Sequence, residues 1–142
     1  MTRNGVIATK IQTISDTIRE LRSLTASAPL TAERLDRDFF LKRGVECSLQ
    51  ICVEAVTDIA LRLLSLLGEP PPPSGGKALE ALERRGLIEC AATYKRMVQF
   101  RNLIVHRYET VDSAMLADIV NHRLDDLEKY IGEITRAQAR PG

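Results

Sequence analysis

An arginine, a histidine and a tyrosine stand close together in Arg101-Asn102-Leu103-Ile104-Val105-His106-Arg107-Tyr108. A guanidinium stays charged at any physiological pH and grips phosphate oxygens, whereas an imidazole exchanges protons near neutrality. Together they can break a phosphodiester: Arg101 stabilises charge on the phosphoryl oxygens while His106 serves as general base or acid. Basic residues also suit the negative end of a helix dipole, so the pair has a purely structural reading as well. The surrounding pattern favours function. Wound at 3.6 residues per turn, Leu87, Cys90, Tyr94, Met97, Val98, Ile104 and Val105 form one apolar stripe, with Arg101 near its centre. A guanidinium is rarely buried without a partner, so the stripe must face a cleft or meet an anion there. If the helix continued, His106 would point about 140° away from Arg101, at roughly 100° per residue. Either the helix ends before His106 and the chain turns back, or such residues converge across a two-fold axis. Asn102, four residues before His106, could donate to phosphate or fix the imidazole; it also reads as an ordinary polar helix-end residue.

What positions these residues is an expected set of helices. Ile7, Ile11, Ile14, Ile18 and Leu21 recur at spacings of four and three, predicting a helix over about Asn4 to Thr25. Thr31 is a suitable N-cap for a long second helix, roughly Ala32 to Leu67, striped by Val45, Leu49, Cys52, Val56, Ile59 and Leu63. Phe40, Leu41, Ile51, Ala55 and Leu66 widen that stripe, so this helix is expected to be buried on more than one side. Its other edge carries Glu46, Gln50, Glu54, Asp58 and Arg62, either a wet face or a supply of carboxylates to orient Arg101. The segment 69–76, Glu-Pro-Pro-Pro-Pro-Ser-Gly-Gly, reads as a surface loop. A short helix from Lys77 to Arg85, the motif helix from about Ile88 to Val105, and a last helix from Ser113 to about Ala137 complete the chain. The expected fold is all-α: a four- to five-helix, up-and-down bundle formed by residues 1–142 as a single domain.

Composition narrows the classes. The 142 residues include no Trp and only 4% aromatics, so the core must be aliphatic. No signal-peptide pattern opens the chain, and the longest apolar tract, Ile59 to Leu67, is too short for a bilayer. A cytoplasmic protein without membrane contact is expected. Three Cys (Cys47, Cys52, Cys90) and two His lack metal-site spacing, so no metal or other cofactor is expected and the thiols read as reduced and buried. Between Lys77 and Arg107, seven basic residues oppose three acidic ones, a local +4 against −3 elsewhere, which suits an anionic ligand such as RNA. His122 reads as an exposed helix residue, and Tyr94 and Tyr130 as core.

Several segments resemble the HEPN superfamily, and within it the HepT-like toxins of toxin–antitoxin pairs. They are Phe39-Phe40-Leu41-Lys42-Arg43-Gly44-Val45-Glu46 running on through Leu49 to Ala60, then Ala78-Leu79-Glu80-Ala81-Leu82, Gly86-Leu87-Ile88, and Tyr94 to Tyr108 with Val111-Asp112. The Arg-x4-His core alone arises by chance; the string Phe-Arg-Asn-x3-His-x-Tyr in a helical chain of this length is specific. The resemblance implies a metal-independent endoribonuclease, acting as a homodimer whose cleft is lined by motif residues of both subunits. Arg101 and His106 would be catalytic, Asn102 supporting, and the RNA 2′-hydroxyl the nucleophile. It also implies a partner, a minimal nucleotidyltransferase antitoxin of a type VII-like pair, which silences the toxin by transferring AMP to the tyrosine at position 108. The competing reading is a non-catalytic HEPN subunit that only binds such a nucleotidyltransferase.

Overall fold

The structure, a computed structural model, describes residues 5–139 apart from 106–111, and for residues 101–105 the helical backbone alone. The described residues form seven α-helices and no strand: α1 (Gly5–Ser23), α2 (Ala32–Arg37), α3 (Phe39–Leu66), α4 (Gly75–Arg84), α5 (Ala91–Val105), α6 (Ser113–His122) and α7 (Leu124–Ala139). Four of them are long and alternate in direction. Lys10 pairs with Asp58 at 3.2 Å, so the start of α1 lies beside the later part of α3. Arg22, at the end of α1, reaches Asp125 at the start of α7 at 2.8 Å. Further along α7, the Tyr130 hydroxyl donates to the Val56 carbonyl at 2.8 Å. The short α4 covers one end of this bundle, and α2 and α6 close the other, where Ser113 hydrogen-bonds Asp36 and the Asn121 side chain bonds both backbone polar groups of Leu30 (2.8 and 2.9 Å).

The expected long second helix is broken at Asp38. This residue sits in extended backbone (φ −128°, ψ 94°), donates its N–H to the Leu35 carbonyl, and accepts from the Leu41 N–H at 3.0 Å through its carboxylate. Aspartate favours such a cap over a helix interior because its side chain substitutes for the missing backbone acceptor. The expected last helix likewise divides at Arg123, whose N–H closes α6 on the Ile119 carbonyl at 2.9 Å. The proline loop stops sooner than its glycines suggested: Ser74 caps Lys77 N–H at 3.2 Å, and Gly75 and Gly76 are the first residues of α4. Gly75 is required by proximity, since a Cβ there would stand 2.9 Å from the Thr57 side chain.

The core is chiefly aliphatic, built on Ile7, Ile14, Leu21, Leu35, Val56, Ile59, Leu64, Leu79, Leu82, Leu116 and Ile134, with Tyr94, Phe100 and Tyr130 among them. Two expectations about burial are met only in part. Of the residues that widen the α3 stripe, Ala55 is buried and Leu41 half-buried, whereas Phe40 is 83%, Ile51 48% and Leu66 49% exposed. Cys52 is buried, but Cys47 and Cys90 are exposed. Periodicity assigns residues to faces without telling how many faces meet a neighbour.

Candidate active site

Helix α5 carries the start of the motif, and α4 and α7 hold it. At its start, the backbone N–H of Ala91 donates to Glu83 at 2.8 Å. One turn on, Lys95 donates to Glu80 at 2.7 Å, and Lys77 approaches the same carboxylate at 3.3 Å. The Lys95 hydrogen bond is the main reason the Glu80 carboxyl lies below its ordinary range. This pairing ties α5 to α4. Behind α5, Tyr94 donates to Glu133 of α7, and the second oxygen of that buried carboxylate accepts the Glu89 N–H at 2.6 Å. The Tyr94 ring packs edge-on to Tyr130 with centroids 4.8 Å apart. Burial and the neighbouring Glu133 raise the Tyr94 phenol far above its ordinary pKa, and burial does the same to Tyr130. Both tyrosines are core, as their positions on apolar stripes implied.

The motif stripe is partly as expected. Tyr94 is buried and Met97 and Val98 half-buried, whereas Cys90 is exposed just before α5 begins. There the Thr93 and Ala92 N–H groups lower its pKa. Cys52 is the opposite case: burial pushes its thiol up to about 11, only partly offset by a hydrogen bond with Thr17. Phe100, beside Arg101, is a core residue that the stripe omitted; its place three residues after Met97 was the available signal. Arg101 and Asn102 fall in the last turns of α5, where the backbone alone is described, and His106 and Tyr108 lie outside the described residues.

Two hollows flank α5. A polar groove of about 680 Å³ is lined by Glu54, Thr57 and Asp58 of α3, Ser74 to Gly76, and Lys95, Val98 and Gln99. A smaller apolar cavity of about 180 Å³ lies on the other side, between Leu49, Cys52, Val53, Met97, Phe100, Met115 and Ile119, with Arg96 and Arg123 also on its wall. Arg85, just ahead of α5, pairs with Glu69 beyond the end of α3 at 2.8 Å, and the first two residues of α4 lie against Thr57 and Lys95, so α3 and α5 run antiparallel. The end of α5 therefore lies toward the start of α3. The acidic row on α3 is not uniform. Glu46 is buried, Glu54 is half-buried and accepts from Gln50 at 3.1 Å, and Asp58 is exposed and paired with Lys10. His122 is exposed on α6, as read from its context. No helix among the described residues is long and apolar enough to cross a membrane.

The described residues form an all-helical bundle, and the sequence of its fifth helix runs on into an Arg-x4-His string; comparison with known proteins supplies the class. Residues 14–134 match the family described as Ribonuclease HepT-like, and the chain belongs to that family. Among curated proteins it is 29% identical over 133 residues to the mRNA nuclease HepT of Shewanella oneidensis, covering 92% of this chain and 97% of that one. Among solved structures it resembles a tri-AMPylated Shewanella oneidensis HEPN toxin in complex with MNT antitoxin, with a TM-score of 0.83 and 29% identity over 94% of this chain and 99% of that one. A toxin–antitoxin structure with AMP-PNP matches with a TM-score of 0.82 and 28% identity, covering 94% of this chain and 98% of its own.

Proposed function

We propose that this chain is the ribonuclease toxin of a cytoplasmic toxin–antitoxin pair, cleaving RNA without a metal. The observation that carries the reading is the Phe100-Arg101-Asn102-x3-His106-x-Tyr108 string, which begins in the last turns of α5, in a chain of the HepT-like ribonuclease family. In the reaction, the ribose 2′-oxygen attacks the adjacent phosphorus and gives up its proton. The P–O5′ bond breaks, leaving a 2′,3′-cyclic phosphate, and the departing 5′-oxygen takes a proton. His106 moves one of these protons, Arg101 neutralises the charge growing on the phosphoryl oxygens, and Asn102 holds the phosphate or the imidazole. The ribose supplies the nucleophile, so no metal-bound water is needed. Two copies share the cleft, which resolves the divergence of Arg101 and His106 along a single helix.

The partner is a minimal nucleotidyltransferase that transfers AMP to the Tyr108 oxygen, releasing pyrophosphate from ATP. Burial supports that choice of acceptor, because Tyr94 and Tyr130 are enclosed with their hydroxyls bonded to Glu133 and Val56. Bulk and negative charge two residues from His106 close the cleft to RNA. The test is digestion of RNA by wild-type, Arg101→Ala and His106→Ala protein, with and without EDTA, and intact-mass measurement after co-expression with the nucleotidyltransferase. Wild-type cleavage that survives EDTA and is lost in both variants supports the mechanism. A folded wild-type protein that leaves RNA intact assigns the chain to the non-catalytic HEPN subunits instead.

A further inference from the structure

We propose that the polar groove between α3 and α5 holds the RNA base next to the scissile phosphate, and that it takes bases carrying an exocyclic amine in preference to uracil. Two short runs of residues line it, Glu54, Thr57 and Asp58 on α3 and Lys95, Val98 and Gln99 on α5, together with Ser74 to Gly76. Its volume of about 680 Å³ falls within the roughly 300–1,000 Å³ usual for ligand pockets. Two glycines set one end. A Cβ on Gly75 would stand 2.9 Å from the Thr57 side chain, and one on Gly76 would stand 3.6 Å from that of Lys95, so the first turn of α4 sits against both walls. From there α5 runs on through Val98 and Gln99, and its backbone stays helical to residue 105. Four residues bring a helix round to nearly the same face, about 6 Å further along its axis. Position 102 therefore continues the groove face one turn beyond Val98, within the first residues of the motif. A nucleotide whose base lies in the groove leaves its phosphate at the motif end.

The lining suits a base and not a phosphate. Glu54 and Asp58 repel an anion, and Lys95, the cation among the described lining residues, is held by Glu80 at 2.7 Å. Hydrogen-bonding capacity remains on other groups. Among the described residues neither the Gln99 amide nor the Thr57 hydroxyl has a hydrogen-bond partner, and Asp58 spends one oxygen on Lys10 at 3.2 Å. Gln99 is exposed and Thr57 half-buried, so both are within reach of a ligand. Bases of single-stranded RNA are splayed out and read along their edges. A carboxylate accepts from the exocyclic amine of adenine, cytosine or guanine, and a glutamine amide donates and accepts along the same edge. Uracil has no amine. Its one ring N–H lies between two carbonyl oxygens, which a carboxylate wall repels. The inference rests on the ribonuclease reading above and deepens it, with Asp58 and Gln99 as the residues that set which bases are taken.

Short RNAs that differ only in the base beside a mapped cleavage point test it on the full chain, alongside binding of oligoadenylate and oligouridylate to His106→Ala protein. Wild-type protein should cut about 10-fold or more slowly when uracil stands at one fixed position next to the broken bond. Asp58→Asn, which replaces a pure acceptor by a group that also donates, should speed cleavage at uracil and narrow that ratio. Its lost ion pair with Lys10 is exposed and worth little, so the melting temperature should hold. Gln99→Ala should raise KM for the amine-bearing RNAs and leave that for the uracil RNA nearly unchanged, a split that a merely structural role would not give. Equal use of all four bases, or a preference that survives both substitutions, overturns the groove while the ribonuclease reading stands. Loss of nucleotidyltransferase binding in Asp58→Asn with base preference unchanged reassigns the groove to that partner and overturns it too. If wild type cleaves nothing, yet oligoadenylate binds more tightly than oligouridylate and Asp58→Asn or Gln99→Ala removes the difference, the groove stands and the ribonuclease reading alone falls. Neither cleavage nor binding overturns both.

Discussion

Cys90 and Cys52 bear the same thiol in opposite surroundings. Backbone and side-chain donors of Thr93 stabilise the Cys90 thiolate, while burial opposes ionisation of Cys52. Brief alkylation of the native protein near neutral pH should modify Cys90 and spare Cys52, as peptide mass mapping will show; equal labelling means the core is open. The Tyr94–Glu133 contact makes a second prediction. Tyr94→Phe leaves a buried carboxylate short of one donor, which costs about 1–3 kcal/mol and should lower the urea midpoint with an unchanged slope. At the proposed site, removing His106 should cut RNA cleavage about 10²- to 10⁴-fold, the usual contribution of a general acid–base, without changing the melting temperature. The candidate residues were legible because arginine and histidine announce their chemistry by type. The exposure of Cys90 was not legible, because it depends on α5 starting at Ala91 and not three residues earlier.

At the scale of elements, the break at Asp38 matters more than its single residue suggests, since one side chain ends the α2–α3 corner and begins α3. Asp38→Ala removes the acceptor for Leu41 N–H and should cost about 0.5–2 kcal/mol, read as a shift in the denaturation midpoint. Gly75→Ala should also destabilise, despite the better helix propensity of alanine. Its Cβ would press on Thr57, whose branched side chain has little freedom to yield. Thr57→Ala should relieve the loss, and a double-mutant cycle with coupling near zero would refute the contact. The four long helices were legible from apolar spacing, with α1 the clearest because its stripe faces a single neighbour direction. The α2–α3 and α6–α7 breaks were hidden: both lie within segments whose apolar spacing continues across the corner, and only the cap geometry marks them. The exposed side of α3 was hidden for a related reason, since apolar spacing marks a face without telling what meets it.

The whole molecule should fail at high pH. Tyr94 and Tyr130 are held neutral in the folded state with pKa values above the ordinary phenol value, so unfolding releases their protons once the pH passes about 10. Their contribution is fully present below that pH and is lost as pH rises toward the folded values. With both phenols ionising in the unfolded chain, stability should fall by up to about 2.7 kcal/mol per pH unit. Denaturation midpoints measured from neutrality to pH 11 check this, and Tyr94→Phe should halve the slope. The same two rings have an optical consequence. The sequence contains no tryptophan and three tyrosines, so near-ultraviolet ellipticity comes chiefly from phenols. Two of them are locked edge to face, one on α5 and one on α7. That signal is a label-free gauge of whether the helix bearing Arg101 is seated against its neighbour, and it can be followed in real time as RNA, a second copy or a modifying enzyme arrives.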